Sequence, residues 1–380
     1  MNKLLAAVLL SCLVQVSAAE LAIESTPNVI KLPADYPDSW IFAHDANFSG
    51  LIAGKVIIVD VSAESHEYKG AIGAAQFATF MESSRLPELY VGETFYSRGT
   101  TGTRTDVVSI YDKSSLEKQG EILLPKNNRG LFVTNKFAMQ LVGDDRYLLV
   151  MNFTPAASVS IIDTDKRQLI GEIPVPGCNM IYPTGGRGFS SMCGNGSMLS
   201  VQFDENGQQT EKHVTNAFFD VDDDPLFDKP AFLGTTAYFI SYKGLVQPVD
   251  LSGAEPSILP SWSLLQDADR AANRRPAGWQ VAASDGESKL YVIMQRDGFD
   301  GSHKSGGEQI WVADVESRQV VNRLDMLDGA FSIEVVPAAS PLIAVTNLAM
   351  GLDVYEADGT RIRSLSLGDA AMPIALHRGR

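Results

Sequence analysis

The chain has 380 residues, and its 46 acidic side chains outnumber its 31 lysines and arginines to give a formal net charge of −15. That balance repels an extended polyanion and sets nucleic acid aside as a partner. With 45% hydrophobic residues the chain can bury a large core, while 32 glycines and 18 prolines break its direction often, a combination that suggests many short strands.

In chain order, Met1-Asn2-Lys3 is followed by an apolar run from Leu4 to Leu10 and a small-residue exit at Ser17-Ala18-Ala19. This is the layout of a cleavable secretory signal over residues 1–19, with a mature domain over 20–380. The run is too short for a bilayer, which needs about 20 apolar residues, and no second stretch of that length follows, so no membrane span is expected. A lipoprotein reading of Leu9-Leu10-Ser11-Cys12 would leave the small residues at 17 to 19 without a role. Cleavage would remove Cys12 and leave Cys178 and Cys193. An even pair in an oxidising compartment reads as one disulfide, the alternative being two buried thiols. Such a bridge would contribute about 3 kcal/mol on a chain-entropy estimate.

The mature region repeats. Seven times an apolar strand ends in an acidic residue at a polar turn, at Asp60, Asp112, Asp163, Asp204, Asp250, Asp314 and Glu356, with spacings of 52, 51, 41, 46, 64 and 42 residues. An aspartate there can accept from backbone two residues on, so these acids are expected to be turn formers. A period in the forties to fifties with several short strands per unit predicts an all-β, seven-bladed β-propeller. The exception to pure β is Ser263 to Asn273, where Ser263 and Gln266 form a capping-box pattern ahead of good helix formers, inside the longest interval.

Chemistry is sparse along the chain. The five histidines, His44, His66, His213, His303 and His377, are scattered without metal-ligand spacing. Asp220 to Asp224 resembles the opening of a calcium loop, but Pro225 stands where glycine is required, so an acidic turn is expected. His303 sits on a glycine-rich loop with no partner in sequence reach. No Gly-x-Ser-x-Gly elbow or phosphate-binding loop is present.

Several segments together resemble the large subunit of the tryptophan tryptophylquinone amine dehydrogenases, nearest the aromatic amine branch, with methylamine dehydrogenase as a close relative. They are Thr94 to Arg98 with Gly102 to Val108, Cys178 through Tyr182-Pro183 to Cys193-Gly194-Asn195-Gly196, Asp223 to Phe227, Trp262 to Leu265, Arg275 to Gln280, and Asp297-Gly298 with Gly301 to Lys304 leading to Ile310-Trp311-Val312. The resemblance implies a periplasmic heterotetramer of two large and two small subunits. The quinone would be carried by the small subunit, no catalytic or cofactor-binding residue would lie on this chain, and electrons would pass to a periplasmic cupredoxin. It also implies that a residue on an early loop lines the channel to the quinone. The matching stretch, Gly73 to Phe80, offers Gln76 in ungapped alignment and Phe77 with a one-residue shift, with Phe80 nearby. Phe77 and Phe80 read equally well as blade-core residues. The rival readings are a stand-alone secreted propeller that binds without catalysis, and a propeller hydrolase with a metal in its channel.

Overall fold

In a strand, successive side chains point to opposite faces, so a run such as Val56-Ile57-Ile58-Val59, apolar at every position, must be covered on both sides. The computed structural model, which describes residues 31–48, 50, 54–368 and 371–379, meets that requirement with seven antiparallel sheets arranged as a β-propeller. The signal read at residues 1–19 lies outside the described residues. Val56 and Ile58 pack with Phe80, Leu89 and Val91 of blade 2, whereas Ile57 and Val59 pack with Val336, Ala344 and Val354 of blade 7. Comparable clusters fill the other junctions, for example Ile161 with Phe189 between blades 3 and 4, and Tyr182 with Phe239 between blades 4 and 5. Each fully buried side chain of this kind contributes about 1.5–3 kcal/mol. The core is therefore a ring of inter-blade layers rather than one central cluster.

The innermost strands, in blade order, are Pro373–Arg378, Thr79–Glu82, Met139–Val142, Cys178–Pro183, Ala231–Leu233, Ala282–Ser284 and Ser332–Val336. Blade 1 draws on distant parts of the chain: Pro373–Arg378 pairs antiparallel with Trp40–Asp45, which closes the ring with backbone hydrogen bonds. The acid-ended strands of the repeat are the third strand outward in every blade. Asp60, Asp112, Asp163, Asp204, Asp250 and Asp314 each accept from a backbone N–H two or three residues on, as expected of turn formers. Glu356 does not; Asp358 takes the role in its turn by accepting from Thr360.

The helix in the long interval is shorter and later than the sequence pattern suggests, running Asp267–Ala271 with a capping box between Gln266 and Asp269. Ser263 instead ends the short strand Trp262–Ser263, and its hydroxyl accepts from Leu265 N–H. The cause is local: Leu264 and Leu265 are buried against the junction of blades 5 and 6, which fixes them before the helix can start.

Because neighbouring strands run antiparallel, connections alternate between the two ends of every sheet. One face of the propeller carries the blade-to-blade connections and the second-to-third-strand turns. The other carries the remaining hairpin turns. The longest excursions, 215–230 and 259–281, belong to the first of these faces.

Candidate functional site

The connection face is apolar where it meets solvent. Phe48, Leu131, Phe153, Phe299 and Leu348 stand exposed on its connections, with Phe95 on the long hairpin of blade 2 and Leu327 near the end of an outer strand. Phe299 is 66% exposed and Phe153 56%. The hairpin turns of the opposite face carry no exposed large hydrophobic residue among the described residues. The others of that kind either border the connection face (Leu245, Leu259) or stand on outermost strands, as Tyr68 and Leu123 do. Isolated exposed apolar residues are ordinary, but their concentration on one face marks an interaction surface.

Gln76 and Phe77 lie on this face in a tight turn closed by Ala78 N–H donating to the Ala75 carbonyl at 3.1 Å. Phe77 adopts a left-handed backbone, φ 56°, uncommon for an aromatic residue. Its ring is half-buried and meets Phe48 edge-on at 6.1 Å. Gln76 is likewise half-buried. Phe80 is elsewhere: it is 1% exposed, its ring lies against Phe42 and His377, and it belongs to the layer between blades 1 and 2.

The conformation of that turn is held from below by Arg129, whose side chain is 1% exposed. Its Nη1 donates to the Phe77 carbonyl at 2.9 Å and its Nε to Thr94 Oγ1 at 3.1 Å. Thr94 in turn donates to Asp106, which also accepts from the Arg129 backbone N–H and from Arg104 through two bonds. Burial lowers the Arg129 guanidinium to about 10, still protonated at neutral pH. Ala75 N–H donates to Glu93, whose carboxyl is pushed up by burial. Arg129 carried no sequence signal. It lies 52 residues from the carbonyl it binds, and only the fold brings them together.

Near the axis, three connections meet across this face. Trp279 Nε1 donates to the Thr134 carbonyl at 2.9 Å, Lys229 Nζ lies 3.9 Å from the Trp279 ring centre, and Asn135 donates to Asp228 at 2.9 Å. Trp40 and Trp311 are buried core residues, while Trp262 and Trp279 are half-buried. Cys178 and Cys193 face each other in register at one edge of the face and form a disulfide, with Cα atoms 3.9 Å apart.

The structure also joins two segments that looked unrelated in sequence. Asp222, Asp223, Phe227, Tyr242, Asp300 and His303 line one cavity of about 590 Å³. His303 meets Tyr242 edge-on at 5.2 Å, and burial lowers its pKa. Most of the acids are satisfied: Asp223 pairs with Lys243 at 2.5 Å and Asp300 with Arg275 at 2.8 Å, and Asp220 accepts from its own turn, as expected of an acidic loop. Among the described residues no group of three or more His, Cys, Asp or Glu side chains gathers as a metal site would require.

Fold and topology together define a seven-bladed propeller whose exposed large hydrophobic residues lie mostly on or beside its connection face. Solved structures share this fold: a periplasmic gluconolactonase of Pseudomonas aeruginosa superposes with a TM-score of 0.59 at 15% identity, covering 90% of this chain and 99% of that one. A dihydro-heme d1 dehydrogenase gives a TM-score of 0.54 at 16% identity, covering 90% and 75%. At these identities the likeness is one of fold alone. Sequence is more specific: residues 43–374 match the methylamine dehydrogenase heavy chain family, and the chain belongs to it. The methylamine dehydrogenase heavy chain of Methylobacillus flagellatus is 25% identical over 304 residues, 79% of this chain and 75% of the relative. That of Paracoccus versutus is 29% identical over 292 residues, 75% and 67%.

Proposed function

We propose that this chain is the large, non-catalytic subunit of a periplasmic amine dehydrogenase that converts primary amines, aromatic ones among them, to aldehyde and ammonia. In this reading two large chains assemble with two small subunits. Each small subunit carries a tryptophan tryptophylquinone, which supplies the two-electron oxidation of the amine, and the electrons leave to a cupredoxin. Residues 1–19 direct export and are removed. Kinship with heavy chains across residues 43–374 carries the proposal.

The geometry supports it. A propeller has no need of exposed phenylalanines for its own stability, and a face that carries several of them gains by being covered. Within that face Phe77 and Gln76 form a rigid lip, braced by Arg129, suited to wall a channel at the edge of the partner. Arg129 acts as a positioning residue that fixes the turn. Purified from its source, the chain should co-elute with a small, cysteine-rich subunit and show quinone absorbance. Expressed alone it should be colourless and inert toward amines. Amine oxidation by the isolated chain would overturn the proposal.

A further inference from the structure

The long hairpin of blade 2 runs past the end of its own sheet. Its strands Glu88–Arg98 and Thr101–Asp112 stay paired as far as Arg98 opposite Thr101, but the innermost strand follows them only to Gly92 and the outermost only to Asp106. In blades 1, 3 and 7 the corresponding pair ends level with the fourth strand. Residues 95–98 and 101–105 therefore form a two-stranded ribbon that continues beyond the sheet on the connection side, by roughly 13 Å for four residues of strand. Among the described residues no strand flanks it.

A two-stranded hairpin is marginally stable in water by itself, and this one is fixed at both ends. At its foot Asp106 accepts from Thr94, from Arg104 and from the Arg129 N–H, Arg104 also donates to the Arg129 carbonyl at 2.6 Å, and Arg129 reaches the Phe77 carbonyl. At its tip Thr103 N–H donates to Ser97 Oγ at 3.0 Å, and Gly99 and Gly102 take the left-handed backbone that the reversal needs. Ribbon and Phe77 turn are thus one braced unit, and whatever the ribbon holds is held beside the lip. The ribbon also differs in charge from the rest of the chain: residues 95–105 contain two arginines and no acid, in a protein of net charge −15. Asp106 neutralises Arg104, whereas Arg98 is exposed and has no ion-pair partner among the described residues. Phe95 is 36% exposed.

We infer that this ribbon clasps the small subunit, with Phe95 packed on an apolar patch of that partner and Arg98 paired with a carboxylate beside it. The inference rests on the amine dehydrogenase reading, which supplies the partner. The occupant follows from position: the ribbon rises from the apolar connection face and shares its foot with the turn that walls the channel, so the subunit it grips is the one that carries the quinone. A guanidinium suits the tip because its planar fork matches a carboxylate, and an arm already rigid at foot and tip loses little freedom when it docks.

The mature chain coexpressed with its small subunit provides the test. Replacing residues 97–103 by Asn-Gly shortens the ribbon with a two-residue hairpin turn and retains Tyr96 opposite Arg104. This variant should melt with the parent, because every residue removed is exposed, and should associate with the small subunit at least about tenfold more weakly in sedimentation. Arg98→Glu leaves the packing of the propeller untouched and decides the question independently of the shortened chain; it should weaken association at least about threefold at low salt, with the difference shrinking as salt is raised. A photo-crosslinking residue at position 98 of the assembled protein should join this chain to the small subunit. Association of both variants within about twofold of the parent, or a crosslink from position 98 to a second large chain alone, would overturn the inference while leaving the amine dehydrogenase reading in place. Failure of the parent chain itself to assemble with a small subunit would overturn that reading, and this inference with it.

Discussion

On one face of the propeller the connections end in Phe48, Phe153 and Phe299, each more than two-fifths exposed. On the other, the turns are built from aspartates bonded to their own backbone and from charges paired within a blade or between neighbouring blades. Arg85 meets Asp165 at 2.7 Å, Arg146 meets Asp165 at 2.9 Å, Arg167 meets Glu88 at 2.5 Å, and Lys113 meets Glu82 at 2.6 Å. Both faces are made of connections between strands of the same seven sheets. The hairpin-turn face spends its side chains on closing its own turns and stitching neighbouring blades, while the connection face leaves apolar surface that only another molecule can cover. Substitutions on the first should therefore act through stability, and those on the second through assembly and selectivity.

The largest effect should come from placing charge on the connection face. Phe48→Glu combined with Phe153→Glu buries two carboxylates in the proposed interface and should weaken association with the small subunit on the order of 100-fold. The matching change of exposed charges on the other face, Glu64→Lys with Glu205→Lys, should leave association within about twofold. Co-elution and sedimentation of the two variants measure the contrast, and equal behaviour would abolish the distinction between the faces.

Next in size is the buried pair on the hairpin-turn face. Lys113 and Glu82 are each 4% exposed at the side chain. Lys113→Ala removes the ammonium from a buried carboxylate and should cost about 3–5 kcal/mol. In a domain of this size that lowers the melting temperature by roughly 5–10 °C. Association with the small subunit at low temperature should be unchanged. A variant that melts normally but fails to assemble would invert the comparison.

A smaller, pH-dependent effect lies between the faces. Burial holds His44 neutral down to about 3 and His377 neutral well below the ordinary imidazole value. The unfolded chain binds protons that these two side chains refuse when folded, so stability is lost as pH falls below about 6.5, the unfolded histidine value. His44→Leu should remove one proton from that linkage and flatten the slope by up to about 1.4 kcal/mol per pH unit between about pH 6 and pH 4. Urea unfolding across that range reads the slope. An unchanged slope would mean that His44 accepts a proton in the folded state.

The blade plan was legible because it is written in periodic terms: two-sided apolar runs for strands covered by both neighbours, and a side-chain acceptor at each turn. Asp60 and its five aspartate counterparts could be assigned roles from position alone, and Glu356 failed because its longer side chain does not reproduce the bond that Asp358 makes. The disulfide was readable from an even pair of cysteines. The faces were not. Phe48 and Phe153 look like any other apolar residue in sequence, and their exposure follows from which end of a sheet a connection occupies. Arg129 was invisible for a related reason: a buried arginine is defined by Thr94, Asp106 and the Phe77 carbonyl around it, partners separated from it by 23 to 52 residues. Phe80 and Phe77, three positions apart, have opposite surroundings because one lies on an innermost strand and the other in the turn before it.

The last and subtlest test concerns that turn. Phe77 is half-buried against Phe48, and its backbone is held in the left-handed region by the Arg129 bond. Truncating a fully buried phenylalanine costs about 3–5 kcal/mol, and truncating one that faces a cavity costs less because fewer contacts are lost. Phe77→Ala in the assembled enzyme should therefore melt close to the parent while shifting the ratio of kcat/KM for a bulky amine over a small one severalfold, because the wall recedes. Phe80→Ala should do the reverse, lowering the melting temperature with little change in the ratio. Gln76→Ala separates the two neighbours: if Gln76 rather than Phe77 faces the channel, its variant moves the ratio and the Phe77 variant does not. Arg129→Lys refines the argument further, since an ammonium cannot reach the Thr94 hydroxyl and the Phe77 carbonyl with the same fork. It should reproduce the selectivity change of Phe77→Ala in weaker form, with kcat for the small amine preserved. A ratio unmoved by all three changes on the turn and its brace would return Phe77 to the role of a packing residue and leave the wall of the channel to the partner subunit.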